Sequence, residues 1–137
     1  MKAQLEQLRE EITEIDGYSS YWSKPEKKGY SGVDVYTRHQ LVEVSTSFHT
    51  RFDVEGRVLV MRFDPFTLFN IYFPNGKRGQ ERLKYKMAFC NAIYKEWQAH
   101  NELLIICGDV NTAHREIDLA RPKENSSASG FLPKERR

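Results

Sequence analysis

The chain has 137 residues, enough for one domain that buries roughly two-thirds of the surface its unfolded chain would expose. Hydrophobic residues make up 39% and charged residues 29%, which excludes a disordered tract and a membrane-embedded protein. Lys and Arg number 21 against 19 Asp and Glu, and a net charge of +2 excludes a uniformly basic coat while leaving room for local basic patches. The longest aliphatic run, Leu103 to Cys107, is far too short to span a bilayer. Residues 1–16 are charged throughout and contain no signal-peptide core. Cys90 and Cys107 sit in apolar segments without a CxxC pair, so both are expected to be buried thiols in a reducing compartment.

In chain order, Leu5, Leu8, Ile12 and Ile15 predict a helix over residues 3–15 with an acidic polar face. Residues 17–29, rich in Tyr, Ser, Lys and Gly, predict a loop or weak strand. Residues 31–38 alternate like a strand, with Val33 and Val35 on one face. A polar stretch, 45–56, separates this strand from two more, at 57–63 and 66–73. Between those lie only Asp64 and Pro65, which predicts a hairpin. Pro74-Asn75-Gly76 stops the second strand. Residues 81–99 predict a helix with a stripe of Leu83, Met87, Cys90, Tyr94 and Trp97. Residues 103–107 are apolar on both faces, which predicts a central strand covered on both sides. Helices alternating with strands predict an α/β layered domain.

Three features could carry chemistry. Gly108-Asp109-Val110-Asn111 places a carboxylate and a carboxamide two residues apart, just past a strand. Both offer oxygen to a hard cation, and the carboxylate can orient water. Alone, the run reads more readily as a polar turn. Tyr72-Phe73-Pro74-Asn75 closes another strand with a phenol and an amide, and alone it too reads as a strand-end turn. The segment 76–86 holds Lys77, Arg78, Arg82, Lys84 and Lys86 against Glu81, with Tyr85 interleaved. Basic groups with an aromatic suit a phosphate backbone and an exposed base or sugar, although most charge runs are solvated helix faces. Residues 121–137 add a second basic excess. His114, Glu116 and Asp118 are expected to brace a loop and cap it, with no Cys/His spacing that suggests zinc.

Together these motifs resemble one family. Gly29-Tyr30-Ser31-Gly32-Val33, Tyr72-Phe73-Pro74-Asn75, Glu81 to Lys86, and Gly108-Asp109-Val110-Asn111-Thr112-Ala113-His114 stand in the order and spacing of the exonuclease III family of apurinic/apyrimidinic endonucleases. Glu116 to Leu119, Arg121-Pro122-Lys123 and Gly130 to Arg136 continue the match. The resemblance implies a single endonuclease/exonuclease/phosphatase domain over 1–137, part of a four-layered α/β sandwich with two facing mixed sheets. It implies Mg²⁺-dependent hydrolysis of DNA 5′ to an abasic site, with Mn²⁺ as a substitute, and trimming from 3′ ends. It assigns catalysis to Tyr72, Asp109 and Asn111, and it places Asp109 and Asn111 in the metal site as well. Asn75, Arg78, Arg82, Tyr85 and Asn125 become the substrate-binding set. The implied partner is double-stranded DNA with abasic sites or 3′ ends. A complete member would be monomeric and unattached to membrane, cytoplasmic in a prokaryote or nuclear in a eukaryote, and not secreted.

The departures matter as well. The family's metal-binding Glu would fall just upstream of Met1, and its later Asp and Asp-His pair would fall beyond Arg137. His39, His49, His100 and His114 occupy other contexts. The chain is therefore expected to be a central portion of a member, inactive alone. The alternatives are a DNA-binding chain that does not cut, a chain that does not fold stably by itself, or another phosphoesterase of the same superfamily.

Overall fold

The computed structural model describes residues 8–136. Helix α1 is a single turn, Glu10–Thr13. It is shorter than the helix expected over 3–15, of which residues 3–7 lie outside the described residues. Glu14 is already extended, and Ile12 and Ile15 are exposed. Without a buried apolar face a short helix has little to hold it.

Strands β1 (Ser19–Ser23) and β2 (Val33–Thr37) pair antiparallel as a two-stranded sheet, with Tyr21 opposite Val35. A second sheet runs β3 (Glu43–Ser45), β4 (Val58–Arg62), β5 (Phe66–Ile71), β6 (Leu103–Cys107). The β4–β5 hairpin turns at Asp64-Pro65, as its sequence predicts. β5 and β6 are parallel, so the chain must cross over between them, and helix α3 (Gln80–Ala99) makes the crossing. The α/β class is as expected, although only one of the two described sheets is mixed. A further short helix, α2 (Thr50–Asp53), lies in the polar stretch. The Asp53 carboxylate accepts the N–H groups of Phe48 and His49 ahead of it.

The chain divides into two compact units. The first comprises residues up to Tyr72 and Glu96–Gly108, and the second comprises Phe73–Lys95 and the residues from Asp109 onward. The first holds both sheets. Val33, Leu59 and Met61 form its cluster, with Val35, Phe63, Leu68 and Tyr72 packed against them. In the second, Phe89, Ile93 and Phe131 are buried, and Phe73 meets Phe89 edge to face at 5.6 Å.

Three expectations need correction. The stripe of α3 is out of phase by one position: its buried residues are Lys86, Phe89 and Ile93, while Tyr94 is exposed. A 3.6-residue period admits neighbouring stripes, and the charge on Lys86 disguises a core position. Among the described residues strand β6 stands at a sheet edge rather than at the centre. It pairs with β5 alone among them, and Leu103, Ile105 and Ile106 are exposed, Leu103 by 69%. An apolar run reports what a strand needs rather than what covers it. Cys107, on that strand, is exposed rather than buried, and Cys90 is half-buried. What burial each thiol has pushes its pKa up.

Past β6 the chain depends on Gly108. Its φ is +120°, and a Cβ there would overlap the Ile71 carbonyl.

Candidate active site

In the second unit, the loop that begins at Asp109 folds back on itself. The Asp109 carboxylate accepts the Asn111 N–H at 3.0 Å, and its carbonyl accepts the Phe73 N–H at 2.9 Å. Asn111 takes a left-handed conformation, φ 51°, which asparagine tolerates better than most side chains. Its Nδ2 donates to the Phe73 carbonyl at 3.1 Å. The Asn111 carbonyl in turn accepts from Lys86 Nζ at 2.8 Å.

Lys86 is paired with Glu135 at 2.9 Å, and both side chains are only 1% exposed. The Glu135 carboxylate also accepts the Ser129 hydroxyl at 2.8 Å and the N–H groups of Gly130 and Leu132 at 2.7 and 3.1 Å. Burial alone would raise the pKa of Glu135. The hydrogen bonds from Lys86, Ser129, Gly130 and Leu132 outweigh it and hold the carboxyl below its ordinary value. Ala113 donates to the Gly130 carbonyl at 2.8 Å and ties the two loops together.

These loops enclose a pocket of about 660 Å³. Asn75, Asp109, Asn111, His114, Asp118 and Asn125 all line it. Four of the sequence-predicted site residues, Asn75, Asp109, Asn111 and Asn125, thus share one cavity. Asn75 uses its Oδ1 to accept the Lys77 N–H at 2.8 Å. Asn125 donates to the carbonyls of Ala120 and Arg121 at 3.3 and 3.0 Å. Asp118 caps the 3-10 turn Glu116–Asp118 through the Arg115 N–H at 2.8 Å. The His114 carbonyl accepts from Arg136. Asp118 caps its turn as expected, while His114 contributes a main-chain carbonyl.

The other predicted residues stand apart from the lining. Arg78 is exposed before α3. On the first turns of α3, the Arg82 guanidinium lies 4.3 Å from the Tyr85 ring centroid, and Lys84 pairs in solvent with Glu81. Tyr72 belongs to the first unit. There its N–H donates to the Arg57 carbonyl at 2.9 Å, and its own carbonyl accepts from Arg57 Nη1 at 2.9 Å. The Arg57 guanidinium sits 4.7 Å from the Tyr72 ring centroid and 5.6 Å from that of Tyr30, and its Nε pairs with Glu55.

A Mg²⁺ ion takes six oxygens in near-octahedral array. The loop offers the Asp109 carboxylate and the Asn111 amide oxygen. Among the described residues no three His, Cys, Asp or Glu side chains gather to share an ion. The donors present do not fit a complete magnesium centre by themselves. Also among the described residues, no helix is long and apolar enough to cross a membrane.

Sequence reasoning missed Lys86, Glu135 and Arg57. The signal for Lys86 was a charge at one position of the series 86, 89, 93, whose other members are apolar.

The chain belongs to the Endonuclease/Exonuclease/phosphatase family, whose profile matches residues 2–136, across both units. Within that family it is similar to the exodeoxyribonuclease of Bacillus subtilis, at 37% identity over 124 residues, covering 88% of this chain and 49% of that protein. It is 37% identical over 132 residues to the DNA-(apurinic or apyrimidinic site) endonuclease of Dictyostelium discoideum, covering 88% of this chain and 35% of that protein. The chain therefore spans about half or less of these curated relatives. Its fold matches that of an AP endonuclease from Archaeoglobus fulgidus with a TM-score of 0.83, over 99% of this chain and 54% of that one, at 23% identity.

Proposed function

We propose that the chain forms part of a DNA repair nuclease of the exonuclease III type, which hydrolyses the phosphodiester 5′ to an abasic site and trims 3′ ends. The observation that carries this reading is the shared pocket, in which Asp109, Asn111 and Asn75 converge on space large enough for a sugar-phosphate. Relatives named for the same chemistry support it.

Each side chain has a part in this reading. One Asp109 oxygen is engaged by the Asn111 N–H, and the other either takes a proton from or aligns the water that attacks phosphorus, or delivers a proton to the 3′ oxygen that leaves as the P–O bond breaks. One N–H of the Asn111 amide is anchored to Phe73, which leaves its second to donate to a phosphate oxygen as charge builds there. Asn75, whose oxygen is occupied, presents its NH₂. The family resemblance assigns a phosphate contact to Tyr72 and strand binding to Arg78, Arg82, Tyr85 and Asn125. Bound Mg²⁺ or Mn²⁺ would neutralise phosphate charge, with Asp109 and Asn111 as this chain's donors toward it.

The test is a nicking assay on an abasic-site duplex, with Mg²⁺ or with chelator, using a longer nuclease that carries this chain together with the segments its relatives add, since the chain by itself is expected to be inactive. Metal-dependent nicking that disappears in Asp109→Asn supports the proposal. Nicking that survives this substitution overturns it.

A second reading, binding without cutting, is favoured by the exposed Lys77 and Arg78 beside the Arg82–Tyr85 stack. It requires duplex affinity that falls steeply with salt. Affinity that is flat across salt would remove it.

A further inference from the structure

Lys86 presents a physical puzzle. A buried ammonium is costly unless fully compensated. Packing does not demand it, because a methionine or leucine would continue the buried series of Phe89 and Ile93. Compensation nevertheless has been assembled around it from three segments: α3, the loop at 109–113 and the loop at 129–136. Lys86 Nζ meets Glu135 at 2.9 Å and the Asn111 carbonyl at 2.8 Å. The Glu135 carboxylate is saturated by Ser129, Gly130 and Leu132.

We propose that Lys86, held in place by Glu135, is the positioning residue for Asn111. This rests on the reading of Asn111 as a group that meets the phosphate. The argument is geometric. Asn111 stands in a left-handed conformation, which asparagine tolerates but which is only one of its accessible states, so its neighbours must hold it there. Its main-chain carbonyl is fixed by Lys86, its main-chain N–H by Asp109 and its side-chain amide by the Phe73 carbonyl. Fixing the carbonyl fixes the 111–112 peptide plane, and with it the direction in which Cβ and the amide leave the chain. Lys86 therefore acts at a distance, through one main-chain atom, and touches no substrate.

The test uses the whole chain and four variants: Lys86→Met, Lys86→Arg, Glu135→Gln and the double variant Lys86→Met with Glu135→Gln. The double variant removes the stranded charge, so it keeps the test alive if Lys86→Met does not fold. The first readout is hydrogen exchange of the Asn111 side-chain amide by NMR without DNA. Exchange should quicken about 10-fold in the methionine variants and stay near wild type in Lys86→Arg. The second readout places the same substitutions in a longer nuclease that carries this chain and follows nicking of the abasic duplex, where kcat should fall about 10- to 100-fold with KM little changed, and Lys86→Arg should restore most of it. A folded double variant whose Asn111 amide exchanges as slowly as in the wild type overturns the proposal. So does a loss carried by KM alone. If the longer nuclease with wild-type Lys86 does not nick DNA, the functional reading fails, while the exchange result on the chain still decides the positioning claim.

Discussion

Arg57 and Lys86 hold corresponding posts in the two units. Each is buried, each pairs with a glutamate, and each donates to the main-chain carbonyl of a residue with a proposed catalytic part, Tyr72 in one case and Asn111 in the other. What surrounds them differs. Arg57 leads into β4 and works beside a hydrogen-bonded hairpin, with two tyrosine rings against its guanidinium. Lys86 reaches from a helix into loops whose regular structure is limited to two 3-10 turns. The sheet would hold Tyr72 roughly in place without Arg57, whereas the loop has no ladder to fall back on. Where a site stands on irregular chain, a saturated polar network does the work that strand pairing does elsewhere.

The glutamates differ in the same sense. The Glu135 side chain is 1% exposed and that of Glu55 is 14%. Removing a cation therefore strands Glu135 without water but leaves Glu55 some access to it. The largest expected effect is that Lys86→Met destabilises the second unit by about 3–5 kcal/mol, measured as residue-resolved hydrogen exchange in α3 before Lys95. Arg57→Met should cost about 3 kcal/mol, the low end of the range for a broken buried pair, read from exchange in β4 and β5. Equal losses at both sites would break the comparison.

Acid offers a gentler probe. The pKa of Glu135 is held below its ordinary value of 4.5, so its contribution to stability is complete above that pH and is lost as pH falls below it. Urea midpoints of the wild type should drop on acidification below this value with an extra slope that Glu135→Gln lacks. Identical slopes would mean that the network does not distinguish the ionised carboxylate. The smallest effect is expected on β6, where Ile105→Thr should change stability by no more than about 0.5 kcal/mol, since the side chain is 46% exposed. A loss of several kcal/mol there would show that β6 is covered.

Much of this was legible in the sequence. The β4–β5 hairpin followed from two apolar runs around Asp64-Pro65, and the extent of α3 from its periodicity. The place of Asp109 and Asn111 just past a strand was legible too, although the turn that bonds the Asn111 N–H to the Asp109 carboxylate was not. Other features were not legible, for physical reasons. A lysine in a helix reads as surface because its partner, Glu135, is distant in sequence and no local pattern links the two. The polar stretch hid α2 because that helix is held by one buried aromatic, Phe52, and an aspartate that accepts the N–H groups ahead of it, too little to make a periodic apolar stripe. The strand at 103–107 was read from its composition, which does not say on which side of β5 another strand would pair.

That strand has a colloidal consequence. Leu103, Ile105 and Ile106 form a short, uncharged, β-prone tract on a sheet edge whose outer N–H and C=O groups lack a strand partner among the described residues. Such an edge is a template for any extended segment that drifts past it, including the same tract of another molecule. Concentration, more than temperature, would then set how long the chain stays dispersed. A lysine at Ile105 would act there as a gatekeeper.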